Sequence, residues 1–253
     1  MKNTSIRVLL AGESWVSSST HYKGWDFFSS TVYETGIENL QQALEGSSIE
    51  LVHLPGHEAP LKFPVSLEEL SEYDAVILSD IGANSLLLHP DTWVKGKPAV
   101  NRLELLKSWV DGGGALGMCG GYYSFAGIYG ASKYYRTPVE EILPVTIFTF
   151  DDRVEAPQGV VPEILIEDHP IVKGIKQPWP VLLGFNELTV KEQATLVAKA
   201  GNHPLLAVMR YGKGRTFAWA SDIGPHWCPE TFTSWEGYSL LWKQALEWLA
   251  DKS

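Results

Sequence analysis

Four short apolar runs constrain this chain more than any other feature. Residues 6–11, 49–54, 74–79 and 115–119 are rich in Val, Ile, Leu and Ala almost throughout, with little polar alternation. A strand that is apolar on both sides must be covered on both sides, which predicts a parallel sheet between layers of helices. The intervening segments supply helical signals. Residues 31–44 put Val32, Ile37, Leu40 and Leu44 on one face. Ser66-Leu67-Glu68-Glu69 reads as a capping box, and a helix from about 100 to 110 is stopped by Gly112-Gly113-Gly114. Residues 12–30, rich in serine and aromatics, read as a long loop. Right-handed crossovers then align the carboxyl ends of the strands along one edge, where open α/β sheets bind their ligands. Glu13, Asp80 and Cys119 fall at or just past those ends.

The second half changes character. Residues 145–150, 160–166, 182–190, 195–200, 205–211 and 216–220 are short β-like runs separated by turn residues, and Tyr211-Gly212-Lys213-Gly214-Arg215 reads as a hairpin turn. These predict an antiparallel extension of the main sheet, closed by an amphipathic helix over 234–250. No repeat or linker divides the chain, so residues 1–253 read as a single domain.

Composition removes several function classes. The net charge is −10 with no dense Lys/Arg cluster, so neither nucleic acid nor an anionic membrane surface is an expected partner. No apolar run reaches the roughly 20 residues of a membrane span, and the N-terminus shows no leader-like apolar region or cleavage site. Two cysteines, Cys119 and Cys228, do not make a disulfide framework, and a reducing, cytoplasmic location fits. Ten tryptophans point to an aromatic core. Trp15, Trp25 and Trp227 are the pocket candidates, and a homo-oligomer interface is a further place for such residues.

The last of the four runs ends in Gly117-Met118-Cys119-Gly120-Gly121. Gly-x-Cys-x-Gly after a strand has the form of a nucleophile elbow, in which a sharp turn exposes the nucleophile and a helix leaves behind it. A helix N-terminus there would favour the thiolate. Such a thiolate needs a base, and the base an orienting acid. His226 ends the loop after the last strand, and Asp222 or Glu230 could orient it; spacing does not choose between them. Cys119, Asp222, His226 and Cys228 are also zinc-ligand types, but His-x-Cys is not a structural-zinc spacing and no metal is expected. Gly112-Gly113-Gly114 precedes a strand, whereas a phosphate-cradling loop follows one, so no nucleotide cofactor is expected.

These segments together, residues 8–15, 116–122 and 216–227, resemble the class I glutamine amidotransferase-like superfamily. Within it they resemble the branch near the ThuA-like proteins. The resemblance spans essentially the whole chain and implies a flavodoxin-like, doubly wound α/β fold. It implies Cys119 as nucleophile and His226 as its histidine. It also implies that Glu13, as in some branches, approaches the cysteine from the end of the first strand. Backbone N–H groups at Gly82 and Gly120 would form the oxyanion hole, and Trp15, Asp80, Tyr123 and Trp227 would contact the substrate. Two positions depart from the glutaminase pattern. Tyr123 stands where glutaminases carry glutamine, and Cys228 stands where they carry the orienting glutamate. The expectation is therefore a cysteine-dependent hydrolase of a small amide or ester that is not a glutaminase. The alternative is a non-catalytic domain binding a small polar molecule such as a carbohydrate.

Overall fold

The computed structural model describes residues 5–251. Residues 1–4, where the segment read for a leader begins, and residues 252–253 lie outside it. In chain order the strands are β1 (Ile6–Gly12), β2 (Ser14–Lys23), β3 (Asp26–Thr35), β4 (Ile49–Leu54), β5 (Ala75–Ser79), β6 (Ala115–Cys119) and β7 (Val145–Thr146). They continue with β8 (Arg153–Val160), β9 (Pro162–Ile164), β10 (Leu182–Asn186), β11 (Thr189–Val190), β12 (Thr195–Ala200), β13 (His203–Tyr211) and β14 (Gly214–Trp219). The four apolar runs form β1, β4, β5 and β6, as their double-sided hydrophobicity requires.

The central sheet has eight strands in the order β4-β1-β5-β6-β14-β13-β12-β9. Its first five are parallel. The rest form the antiparallel extension. The chain moves one way from β1 to β4 and the other way from β5 to β6, so the switch point lies between β1 and β5. Helices Glu38–Leu44 and Glu236–Ala250 pack together, the latter against β1, β5, β6 and β14. Helix Arg102–Asp111 packs on β6 and β14, and opposite crossover directions place it on the other face. The core includes Val8, Leu10, Ile77, Leu116 and Phe217, all essentially without solvent contact.

Register fixes the edge that matters. Gly12 pairs with Ser79, Ser79 with Cys119, and Cys119 with Trp219. Four strand ends therefore lie in one row, and the residues after them share one end of the sheet.

Two sequence expectations change here. The stretch read as a loop is a long two-stranded hairpin, β2–β3, paired from Ser14↔Thr35 to Lys23↔Asp26. Its threonines, valines and aromatics are good strand residues, but both faces are exposed, so no buried alternation betrays the strands. The helix expected from residue 31 begins at Glu38. Val32 belongs to the hairpin and is exposed, whereas Ile37, Leu40 and Leu44 are buried as expected. Ser66 caps its helix as expected, its Oγ accepting from the Glu69 N–H at 3.1 Å, while the Glu69 carboxylate reaches back to the Val65 N–H rather than to that of Ser66.

Gly12 ends β1 with φ +117°, and a Cβ there would overlap the Ser79 carbonyl oxygen. Gly12→Ala should therefore cost at least about 2 kcal/mol of stability in urea unfolding. A variant as stable as the parent would contradict the close β1–β5 approach.

Candidate functional site

The chain turns sharply after both β1 and β5. Glu13 has φ +47° and Asp80 has φ +45°, a left-handed conformation that costs a non-glycine residue about 1–2 kcal/mol. The Glu13 N–H bonds the Ser79 carbonyl at 3.0 Å, holding the two turns together. Strain of this kind concentrates at functional sites, and here it delivers two carboxyls to the switch point. Ser79 Oγ donates to Glu13 Oε1. Asp80 Oδ1 accepts the Tyr123 N–H at 2.7 Å.

A third acid arrives from β14. Asp222 Oδ2 accepts the Trp227 N–H at 2.9 Å and lies 3.1 Å from His226 Nδ1. Gly121 makes room for this convergence: it has φ +138°, and a Cβ there would stand 2.9 Å from Asp80 Oδ1 and 3.1 Å from Asp222 Oδ1. Glu13, Trp15, Asp80, Tyr123, Asp222 and His226 all line one cleft of about 410 Å³, with Tyr122, Gly224 and Pro225. Six residues proposed from the sequence are thus brought together.

The electrostatics follow from the crowding. Burial raises the Glu13 pKa well above the usual carboxylate range, and the neighbouring Asp80 charge adds to it against the lowering effect of the Ser79 hydrogen bond. Asp80 is pushed up to about 6, again chiefly by burial, with Asp222 contributing. Asp222 raises the pKa of His226 through their hydrogen bond, favouring the imidazolium. Tyr122 packs edge-on against both the His226 and Trp227 rings.

Cys119 sits beneath this group, not in it. It is the last residue of β6 and has no solvent exposure. Burial, then the Glu13 charge, push its thiol pKa well up. The expected elbow is not formed. No helix follows Cys119; the next segment is turns and bends, and the first helical turn begins at Ile128. Left-handed backbone falls at Gly121, not at Cys119. Among the described residues, no hydrogen bond or ring contact joins His226 to Cys119.

The expected oxyanion hole is also absent. The Gly120 N–H is already bonded to the Trp219 and Ser221 carbonyls, at 2.8 and 2.9 Å. Gly82 caps the helix Ala83–Leu87 beside Ser132 and Tyr123, outside the cleft lining. Of the tryptophans, Trp15 lines the cleft. Trp227 is buried behind it with Nε1 donating to Glu155 at 2.9 Å. Trp25 is fully exposed at the hairpin tip, outside the cleft. Glu230 opens a short helix, so Asp222 is the acid on His226.

Sequence reading missed the scaffold of the cleft floor. Asn186 in β10 accepts the Gly121 N–H at 3.0 Å and donates to the Gly121 carbonyl at 3.2 Å and to Asp152 at 2.8 Å. Asp152 in turn accepts the Ala126 and Gly127 N–H groups. Both side chains are buried. Each comes from the β-like second half, where short runs gave no sign of which polar residue turned inward. Tyr122 carried a signal, its place beside the Gly-Gly pair, but the elbow reading assigned that segment to a helix.

The fold and this edge-of-sheet cleft define a class I glutamine amidotransferase-like α/β domain. The chain belongs to the family described as "Putative glutamine amidotransferase", which matches over residues 7–251. Among solved structures, it is similar to the cytoplasmic protein STM3548 of Salmonella typhimurium, with 39% identity over 96% of this chain and 98% of that one, TM-score 0.92. It is equally similar to the cytoplasmic protein STM1381 of Salmonella typhimurium LT2, with 38% identity over 96% and 99%, TM-score 0.92. A ThuA-like protein of Bacteroides uniformis shares the fold at 11% identity over 98% and 93%, TM-score 0.58. No curated protein matches the chain. No helix among the described residues is long and apolar enough to cross a membrane.

The raised Asp80 pKa has a measurable consequence. An unfolded aspartate titrates near ~3.9, and the folded carboxyl near about 6. Folding favours the protonated form, so this contribution is full below the lower value and is lost as pH rises through the upper one. Asp80→Asn keeps an acceptor for the Tyr123 N–H but cannot ionise. It should be more stable than the parent by about 1–3 kcal/mol at about pH 8, and little different near about pH 4. Urea unfolding at the two pH values measures this, and an unchanged difference between them would contradict the assignment.

Proposed function

We propose that this chain uses the Glu13–Asp80–Asp222–His226 cleft to bind a small, neutral, polyhydroxylated molecule of carbohydrate type. In this reading Cys119 is a structural residue rather than a nucleophile. One observation carries the proposal: three carboxyls and an imidazole converge on an open, aromatic-walled cleft, while the thiol lies sealed below with its pKa raised.

The charge balance favours a neutral ligand. Burial biases Glu13 toward its protonated form and the Asp222 hydrogen bond biases His226 toward the imidazolium, so the acids of the cleft are partly offset by a retained proton and a nearby cation. The site is thus partly self-compensated, and a charged ligand would gain little. Carboxylates accept from hydroxyls, and a protonated Glu13 and imidazolium donate to them. Trp15, Tyr122 and Tyr123 offer apolar faces to the C–H side of a sugar ring. A thiol hydrolase on this scaffold would need Cys119 exposed and ionised, and a free donor in place of the Gly120 N–H. The Asp222–His226 pair could move a proton to or from a bound hydroxyl, which is the form catalysis would take here. We place the protein in the cytoplasm, in keeping with the two Salmonella relatives described as cytoplasmic and with its two unpaired cysteines.

Two experiments test this. Hexoses and disaccharides should raise the melting temperature and shift tryptophan fluorescence, and Trp15→Ala should weaken binding about tenfold or more, with Cys119→Ser near neutral. Small ammonium ions binding better than sugars would overturn the ligand class. Iodoacetamide should leave Cys119 and Cys228 unmodified in the native protein near neutral pH, and glutamine should release no ammonia. Rapid labelling of Cys119, or glutamine hydrolysis that vanishes in Cys119→Ser, would restore the thiol mechanism.

A further inference from the structure

The β2–β3 hairpin leaves the body immediately after Glu13 and returns at Gly36, whose N–H bonds the Glu13 carbonyl at 3.0 Å. Its strands pair with each other in a sheet of two. A two-stranded hairpin is marginal in water unless something covers it. This one is apolar and mostly uncovered, with Tyr33 meeting His57 edge-on at its root: Val16, Tyr22, Phe27 and Tyr33 are 57%, 78%, 68% and 48% exposed.

Directly opposed residues of an antiparallel pair share a face, so the register divides the hairpin cleanly. One face carries Trp15, Glu34, His21, Lys23 and Asp26, where Trp15 and Ser17 bond Glu34 and His21 stacks on Phe28. The other carries Val16 with Tyr33, Ser18 with Thr31, Thr20 with Ser29, and Tyr22 with Phe27. It has no Asp, Glu, Lys, Arg or His at all.

We propose that this charge-free face is a homodimer interface, covered by the same face of a second copy of the chain. The area is sufficient. The four apolar side chains and the serines and threonines between them expose on the order of 800 Å², the share each partner brings to a standard stable interface. Charge selects the occupant. The chain carries −10, which works against self-association through its charged surfaces, whereas on this face a second copy brings no opposing carboxylate. A basic or acidic partner would find nothing here to pair with. The face is also self-complementary: an aliphatic–aromatic pair at its root and an aromatic pair near its tip meet each other when two copies stack about a two-fold axis. Because the hairpin is rooted between Glu13 and Gly36, with Trp15 in the cleft lining, the dimer would buttress the cleft wall.

Sedimentation velocity on the purified chain tests the proposal. The parent should sediment as a dimer at micromolar concentration. Tyr22→Lys combined with Phe27→Lys should raise the dimer dissociation constant at least about a hundredfold, with far-UV circular dichroism unchanged. Ser19→Lys, on the charged face, should leave the dimer intact. Replacing residues 19–30 by an Asn-Gly turn should give a monomer too, whatever the double variant does. A monomeric parent, or a dimer that survives the double variant and the shortened hairpin, overturns the proposal. So does flotation of the parent with phosphatidylcholine vesicles that the double variant loses, since a lipid surface would then be the occupant.

Discussion

The row Gly12–Ser79–Cys119–Trp219 is the constraint on which the site depends. Parallel pairing puts these four positions side by side, and the chain has to leave the sheet within the next residue or two at each of them. At β1 and β5 it leaves through left-handed turns at Glu13 and Asp80, anchored by the Glu13 N–H on the Ser79 carbonyl. At β14 it leaves through Ser221, whose Oγ bonds the Gly184 carbonyl, and delivers Asp222. Two strained turns and one loop thus aim three carboxyls at a single point. Burial, with mutual repulsion added to it, makes full ionisation costly, so protons are retained where isolated acids would have lost them. Crowded, strained acids are unfavourable for stability and are typical of places where a fold serves a ligand.

The same row underlies the proposed reading of the cysteine as a structural residue. Cys119 has neighbours on both sides in the sheet, Ser79 and Trp219, and the carboxyl of Glu13 acts on it electrostatically. The helix that would stabilise a thiolate is replaced by a looped segment, tied down by Asn186 and Asp152. That tie consumes the Gly121 backbone groups, and the adjacent Gly120 amide is held by β14 and the residues after it. A fold shared with glutamine amidotransferases therefore need not carry their chemistry; function lies in the groups at the sheet edge.

Much of this was legible in the sequence, for reasons that differ by residue. The apolar runs predicted the strands because a doubly covered strand leaves no alternative pattern. Glu13, Asp80 and Asp222 were legible because each follows a strand, and His226 because its loop ends beside them. The turn after Cys119 was not legible as a turn, since Gly-x-Cys-x-Gly suits an elbow and an irregular loop equally; the difference lies in Asn186 and Asp152, distant in sequence. The β2–β3 hairpin was hidden because its serine runs and aromatics follow no apolar–polar alternation and neither face is buried.

The account's central claim is that the strand-end row buries carboxyls side by side, so that they hold protons to higher pH than isolated acids. Carbon-13 NMR titration of the side-chain carboxyls tests it most directly, with Glu13→Gln and Asp80→Asn assigning the signals. The account predicts an Asp80 carboxyl titrating at about 6, Glu13 titrating well above ordinary glutamates, and Glu13 moving down in Asp80→Asn as a neighbouring negative charge is removed. Both acids titrating at ordinary values near ~4, with no response of one to loss of the other, would contradict it.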